Sequence, residues 1–531
     1  MKTLIAFLAL STAAAAQVTV TGKVLYEDRP YTSSGFGGSV NRPVRQAKID
    51  LLNSALDTIL ATGFTDGFGN YSLTFAGPDQ DVKIRVYAQR ATGKINAVVK
   101  NLGNAIYTVT SQTAVNTTAS PFSDMVITQS GGFGGPFNIF DCAVKHFQYL
   151  ASLEALPDTP PLMDIRWPVT PPDGTSFDGS QIHLVVDPPD TDEYDDDIIY
   201  HEMGHWTAFH YSKDDSPGGM HILQAPADPR LAWSEGWGHY WSAVVRQWSN
   251  LNVHVGEYSA PQIQVDLLSS FAPNWFDIEG PSFPSTSVMA TNEVAIAAVL
   301  WDLVDTTNEP FDTLSGLEPD IWTAVSVRMK TMSNITLEDF HAGLMMDRPD
   351  LRLAVSGDPT TNGIFKDRLI RYYQDPSEPN DNPSGAPTLL TTLTLRTSYP
   401  AGDQDWYTVN AVTGTLVVQT SSLGDGADTV LQLWNAAGAM MLTSNDNRTV
   451  NDKSSQLTWS VGAATTYKVH VAQANPGNPI IEYGYYDISF TTLPATGGKK
   501  GGGGGCGLTG WEAVVLIGLV RRARRRGPQA R

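Results

Sequence analysis

DDDIIYHEMGHWTAFHY, residues 195–211, and LAWSEGWGHYWSAVV, residues 231–245, decide how this chain of 531 residues is read. In the first stretch His201 and His205 stand four apart. On a helix both imidazoles then leave one face and reach one metal ion, with Glu202 beside them. Histidine nitrogen is a preferred ligand of Zn²⁺, and a neighbouring carboxylate takes the proton of a water activated there. His210, five residues from His205, is turned about 140° off that face. Asp195, Asp196 and Asp197 put negative charge at the positive end of the helix. Gly204 costs about 1 kcal/mol of helix propensity, which close packing against a second helix would offset.

The second stretch supplies a third ligand. Glu235 lies among Trp233, Trp237, Tyr240 and Trp241, and a carboxylate in so aromatic a setting is costly unless it meets a cation. His239, four residues on, shares its helix face and competes for the role. Burial favours Glu235, because a neutral histidine tolerates partial burial through one hydrogen bond whereas a bare carboxylate does not. Three protein ligands leave a fourth position for water, as catalysis requires.

The rest of the chain sets the context. Residues 1–16, MKTLIAFLALSTAAAA, have one positive charge, a short apolar run and small residues before the expected cut, the anatomy of a secretory signal peptide. Residues 495–531 join a Gly-rich linker, Cys506, a short apolar run and an Arg cluster. Ten apolar residues of helix reach only about 15 Å, half a bilayer core, so processing near Cys506 is expected rather than a membrane span. The expected location is the medium or a bacterial cell surface, with the tail as a route to outer-surface attachment. The net charge of −20 repels nucleic-acid phosphates, and nucleic acid is excluded as a partner. Cys142 and Cys506 are the only cysteines, so no disulfide framework is available and the fold must rest on large apolar cores, for which the chain is long enough to build three.

Between those ends, residues 17–128 read as short alternating strands with Gly/Asn/Asp turns, a β-sandwich. SGGFGGP at 130–136 reads as a linker. Helical periodicity begins at Asn138 and dominates residues 129–374, where the strand SQIHLVVD at 180–187 is the exception. Residues 375–494 return to strands and turns, a second sandwich.

Several stretches resemble known families. HExxH followed by Glu in an EGW helix is the pattern of the gluzincin metallopeptidases, and DDIIYHEMGHW, WSEGWGHYW and NEVAIAAVLWDLVD resemble the fungalysin family across 137–307. The resemblance implies a thermolysin-like α+β peptidase, here flanked by two sandwiches. It also implies His201, His205 and Glu235 as zinc ligands, Glu202 as general base, protein or peptide substrates, and the strand near 180–187 at the cleft edge. VTGKVLY, RPVRQAKIDLLN and GFTDGFGNYSLTF resemble carboxypeptidase-regulatory-like, prealbumin-type domains. SEPNDNP, GDQDWYTV, LQLWNAAG and SNDN resemble the bacterial pre-peptidase C-terminal domain, and the tail resembles myxobacterial sorting signals. The expected cofactors are Zn²⁺ and, as a second cation, Ca²⁺. One departure matters. Where the fungalysins carry a histidine shortly before Gly-Glu-Val, this chain has Val288-Met289-Ala290-Thr291, which leaves His254, Tyr258 and Tyr211 as substitutes for an oxyanion-stabilising group. The expected activity is that of a secreted zinc endopeptidase; the alternative is a surface adhesin whose metallopeptidase-like middle is vestigial.

Overall fold

The computed structural model describes residues 17–494 apart from 33–34, 115–123, 171–173, 188–189, 220, 224, 255–256, 259–261, 265–274, 282–288, 308–309, 359, 373–375, 391, 399–402, 425–426 and 475–483. The expected signal peptide and the tail with Cys506 lie outside the described residues, as does Val288.

The N-terminal strands form because their apolar residues alternate with polar ones, as the burial of Asn70–Ala76 and Val82–Tyr87 shows residue by residue. Gln17–Asp28 is the organising strand. It pairs antiparallel with Val40–Pro43 and Asn70–Ala76 and parallel with Met125–Ile127. A second sheet runs in the order Thr108–Thr110, Val82–Tyr87, Lys48–Asn53, Ile59–Phe64. Side chains from both sheets, such as Val24, Leu73, Ile49 and Ile84, are buried in one core.

A third sheet crosses the boundary expected at residues 128 and 129. Ile95–Lys100, from the N-terminal region, pairs antiparallel with Gln89–Thr92 and parallel with Met163–Val169, which pairs in turn with Ile182–Asp187. Parallel neighbours need a crossover. Helix α1, Gly134–Leu153, lies within it. SGGFGGP is therefore not a free linker. Gly134 and Gly135 are buried in the first turn of α1, where a Cβ on Gly135 would stand 2.4 Å from Glu193 Cγ and one on Gly134 2.5 Å from the Tyr194 hydroxyl. The cleft-edge expectation for residues 180–187 also needs correction. Ile182–Asp187 has Met163–Val169 on one side, and its other side is bordered by Ser176–Phe177 at residues 182–183 and by Asp190–Thr191 at residues 186–187.

Three further helices build the site: α2, Asp196–Tyr211, α3, Pro229–Asn252, and α4, Glu293–Asp302. Each starts on a side-chain cap. Asp195 accepts from the amides of Asp197 and Ile198, Asp228 from Arg230, and Asn292 from Val294 and Ala295. Such caps contribute about 0.5–2 kcal/mol each. The three aspartates before the first histidine divide their work: Asp195 caps, Asp197 pairs with Arg246 at 2.6 Å, and Asp196 accepts from Asn138 and Tyr258.

Among the described residues the buried apolar side chains form two cores, not three. The N-terminal sandwich and the helical region share one of them. They are also joined by a buried ionic network in which Arg45 pairs with Asp141 and Glu257, and Lys145 reaches the same two carboxylates at 3.2 and 3.0 Å. The C-terminal region has its own core between two four-stranded antiparallel sheets, centred on Tyr407, Val418, Leu431, Val469 and Tyr486. The chain is thus a β-rich, multidomain protein containing β-sandwich architecture, with helices concentrated between residues 134 and 367. No helix among the described residues is long and apolar enough to cross a membrane.

Candidate metal centre

Helices α2 and α3 approach closely enough to share ligands because glycine replaces a side chain at the contact. A Cβ on Gly204 would lie 3.0 Å from Trp241 Cβ and 3.1 Å from Gly238 Cα; one on Gly238 would stand 2.7–2.9 Å from three atoms of the His201 ring. Trp237 adds a hydrogen bond from its indole N–H to the Gly204 carbonyl, 3.0 Å. On the other flank of α3, a Cβ on Gly236 would meet Ile296 at 2.6 Å, which brings in α4.

The result is a convergence of donors. His201 Nε2 is 2.9 Å from Glu235 Oε2 and 3.1 Å from His205 Nε2, and His205 Nε2 is 3.5 Å from the same carboxylate oxygen. Tetrahedral Zn²⁺ with bonds of about 2.0–2.1 Å needs ligand atoms roughly 3.3 Å apart, so this set fits the ion with little adjustment. Without an ion, the two imidazole nitrogens at 3.1 Å can hydrogen-bond only if one ring carries its proton on Nε2 and the other does not. His239 is placed differently. Its ring packs 4.6 Å from that of His201 and edge-on to Phe276, and its Nε2 is 4.0 Å from Glu293 Oε1.

Neighbouring groups orient these imidazoles. Ser234 Oγ lies 3.1 Å from His205 Nδ1 and donates to Asp214 Oδ2 at 2.8 Å. With its proton spent on Asp214, the serine oxygen accepts from Nδ1–H and leaves Nε2 of His205 bare for a metal. Burial pushes Glu235 upward, but the facing histidines outweigh it and hold the carboxyl well below its usual range.

Glu202 is buried beside the ligands. Its Oε2 has no hydrogen-bond partner, and burial raises the carboxyl to about 7 although the Phe177 amide and His205 oppose the rise. A carboxylate so placed is basic enough to take a proton near neutral pH.

The structure also brings in a residue that sequence reasoning missed. His221, from the irregular segment between α2 and α3, sets Nδ1 2.8 Å from Glu293 Oε2 and Nε2 3.5 Å from Glu235 Oε2. The hydrogen bond to Glu293 raises it to about 8. The expected substitutes lie elsewhere. Tyr258 bonds Lys145, Asp196 and Tyr200, Tyr211 packs on Trp206 and Trp322, and His254 sits in the field of Arg45 and Asp141.

A second group of possible metal ligands lies in the C-terminal sandwich. Oxygens of Glu378, Asp381 and Asp403 fall within 4.8 Å of one another, and Asn380 Oδ1 and Asp403 Oδ2 have no hydrogen-bond partner. Burial, with Asp405 and Glu378 nearby, holds the Asp403 carboxyl well above its usual range.

No family model matches the chain. An uncharacterized protein of Archaeoglobus fulgidus is 28% identical over 166 residues, 29% of this chain, and the chain spans 39% of that relative's length. Among solved structures, the pre-peptidase C-terminal domain of a collagenase from Bacillus anthracis matches 20% of this chain and 93% of its own at 14% identity and a TM-score of 0.16. The lysozyme inhibitor PliG of Aeromonas hydrophila matches 20% of this chain and 95% of its own, with the same identity and TM-score. Likenesses this low establish no activity.

Proposed function

We propose that the chain is a zinc-dependent peptidase of gluzincin type, thermolysin-like around its ligands, that cleaves internal peptide bonds of extracellular proteins. The observation that carries this reading is the triad of donors at 2.9–3.5 Å, with the unpartnered Glu202 oxygen buried next to it. A vestigial site in an adhesin has no reason to keep an orphaned carboxylate at this cost.

His201, His205 and Glu235 would hold the metal. Zn²⁺ bound there would supply Lewis acidity, polarising the scissile carbonyl and lowering the pKa of water. Glu202 takes the proton of the attacking water and delivers it to the nitrogen of the leaving amine as the C–N bond breaks. Ser234 and Asp214 fix the tautomer of His205, and the apolar packing of α2 on α3 keeps the imidazoles from turning. Secretion or surface attachment is the setting that suits an acidic chain with an export-like start, and protein substrates rather than nucleic acid are the partners. The all-oxygen set of Glu378, Asp381 and Asp403 suits Ca²⁺ as a second, structural cation.

Glu202→Gln tests the reading. The variant keeps the ligands, so it is expected to bind one zinc while activity on an unfolded protein substrate falls by about 10²–10⁴-fold. Near-normal cleavage by this variant would remove Glu202 from the chemistry.

A further inference from the structure

Phe209 breaks the burial pattern of its helix. Every other residue of α2 is buried or half-buried, whereas Phe209 is 50% exposed. A lone apolar ring on an open surface is ordinary, but one beside a reactive group is a place for an apolar partner. Phe209 stands four residues past His205, as His205 stands four past His201, so the three side chains follow one another along one face of α2. Its ring meets that of Phe177 edge-on, with centroids 5.6 Å apart and planes at 71°, and the backbone amide of Phe177 is directed to Glu202. From this placement we infer that Phe209, braced by Phe177, sets the specificity of the site by taking a large apolar side chain of the substrate near the bond that is cut.

The inference rests on the peptidase reading above and names the class of substrate that the site selects. Distance supports it. The ligating nitrogens meet about halfway between His201 and His205, and Phe209 is six residues beyond that point, about 9 Å of helix, with its side chain leaning back toward the N-terminus by about one residue. What remains is about two residues of an extended peptide, at roughly 3.3 Å each. The support is also fixed in shape. Phe177 pairs with Ile182 in a hairpin whose turn is closed by Asp178, which accepts from the amides of Ser180 at 2.8 Å and Gln181 at 2.7 Å and meets His183 at 3.0 Å. Gly179 in that turn has a φ of +88°, a conformation that favours glycine, and a Cβ there would already touch Phe209 Cε2 at 3.8 Å. The missing side chain leaves the ring uncovered. On the other flank His210 meets Phe209 edge-on at 5.1 Å. A polypeptide drawn over His205 to the ligands passes this ring, which makes substrate, and not a second copy of the chain, its occupant.

The test uses the full-length, zinc-loaded protein with Phe209→Ala, Phe209→Leu and Glu202→Gln variants. Reduced, carboxymethylated casein is digested and the cut positions are read by mass spectrometry. Two end-blocked decapeptides are then copied from the most frequently cut site, one as found and one with alanine at the selected position, and kcat/KM is measured for both. Wild type is expected to cut where Phe, Leu, Ile or Met stands at one fixed position within about two residues of the bond, and to favour the first peptide at least about tenfold. Phe209→Ala should keep one zinc and favour the first peptide by less than about threefold, with Phe209→Leu between the two. The same ratios are expected in the binding of fluorescein-labelled copies of both peptides to Glu202→Gln and to its double variant with Phe209→Ala, where cutting is suppressed. Cleavage without an apolar preference near the bond, an equal ratio in wild type and Phe209→Ala, or an equal fall for both peptides would overturn the assignment and leave the peptidase reading standing. So would a wild-type dimer that Phe209→Ala turns into a monomer in sedimentation, since the ring would then be a contact between copies. If zinc-loaded wild type cleaves no better than Glu202→Gln, the peptidase reading fails and takes this assignment with it.

Discussion

Glu235 has three imidazoles against its carboxylate, those of His201, His205 and His221, at 2.9–3.5 Å. Its removal therefore takes away one of the three proposed ligands and the negative charge that faces the imidazoles. Glu235→Ala is expected to lose zinc and activity together, while His239→Ala weakens zinc by no more than about 10–100-fold, as measured by chelator competition. The reverse pattern would move the third ligand to His239. Spacing made the first two histidines legible, because i and i+4 on a helix leave little choice of direction. The aromatic neighbours of Glu235 singled it out by an indirect route: Trp233 stacks on Trp237 and Phe340, Trp237 packs tilted against Trp241, and the carboxylate meets histidines rather than indoles. His221 and Asp214 were illegible, since no periodicity governs an irregular segment. A different histidine sets a pH dependence. His341 is buried, 2.6 Å from Ser356 Oγ and edge-on to Phe365 and Tyr372, and burial lowers it to about 3. Its folded pKa lies below the unfolded value, so its contribution is fully present above about pH 6.5 and is lost as pH falls toward 3, by up to about 1.4 kcal/mol per pH unit. In urea titrations at fixed zinc, wild type is expected to lose stability relative to His341→Gln between pH 6.5 and 4. Parallel profiles would contradict this.

At the scale of elements, the site is a consequence of three helices meeting through glycines. Gly238→Ala places a methyl group 2.7–2.9 Å from the His201 ring, which cannot stay where it is. The ring must turn or α3 must retreat, and zinc affinity is expected to fall at least about tenfold. Gly204→Ala meets its neighbours at 3.0–3.1 Å and should cost less. Equal affinities in the two variants would argue against a metal position set by this contact. Glycine is also where the sequence misled. A run such as SGGFGGP looks the same whether it frees the backbone or lets another chain segment approach; here Gly134 and Gly135 do the second, against Tyr194 and Glu193. Strand periodicity in the two sandwiches was readable because alternation registers a buried and an open face, whereas the partner of each strand is a long-range choice that alternation leaves open.

For the whole molecule, the division of cores decides what can be removed. A chain ending at residue 375 loses only a sandwich with its own core, and is expected to remain folded and to keep its zinc. A chain beginning at residue 129 lacks the strand that borders Met163–Val169, the part of the shared core that runs from Val20 to Ile127, and the Arg45 partner of buried Asp141. The buried carboxylate of Asp141 and that of Glu257 would then share Lys145 alone, and this piece is expected to be insoluble or unfolded by circular dichroism. A well-folded 129–375 fragment would refute the shared core.

The parallel pairing of Ile95–Lys100 with Met163–Val169 also imposes an order in time on a chain that is made from its N-terminus. Ile95–Lys100 emerges more than sixty residues before its parallel neighbour, and until then one of its backbone edges, with Val98 and Val99 beside it, has no mate. Such an edge is a template for any other strand within reach. Synthesis must therefore pass through a stage in which the completed first sandwich is adhesive, and the arrival of α1 and Met163–Val169 is what ends it.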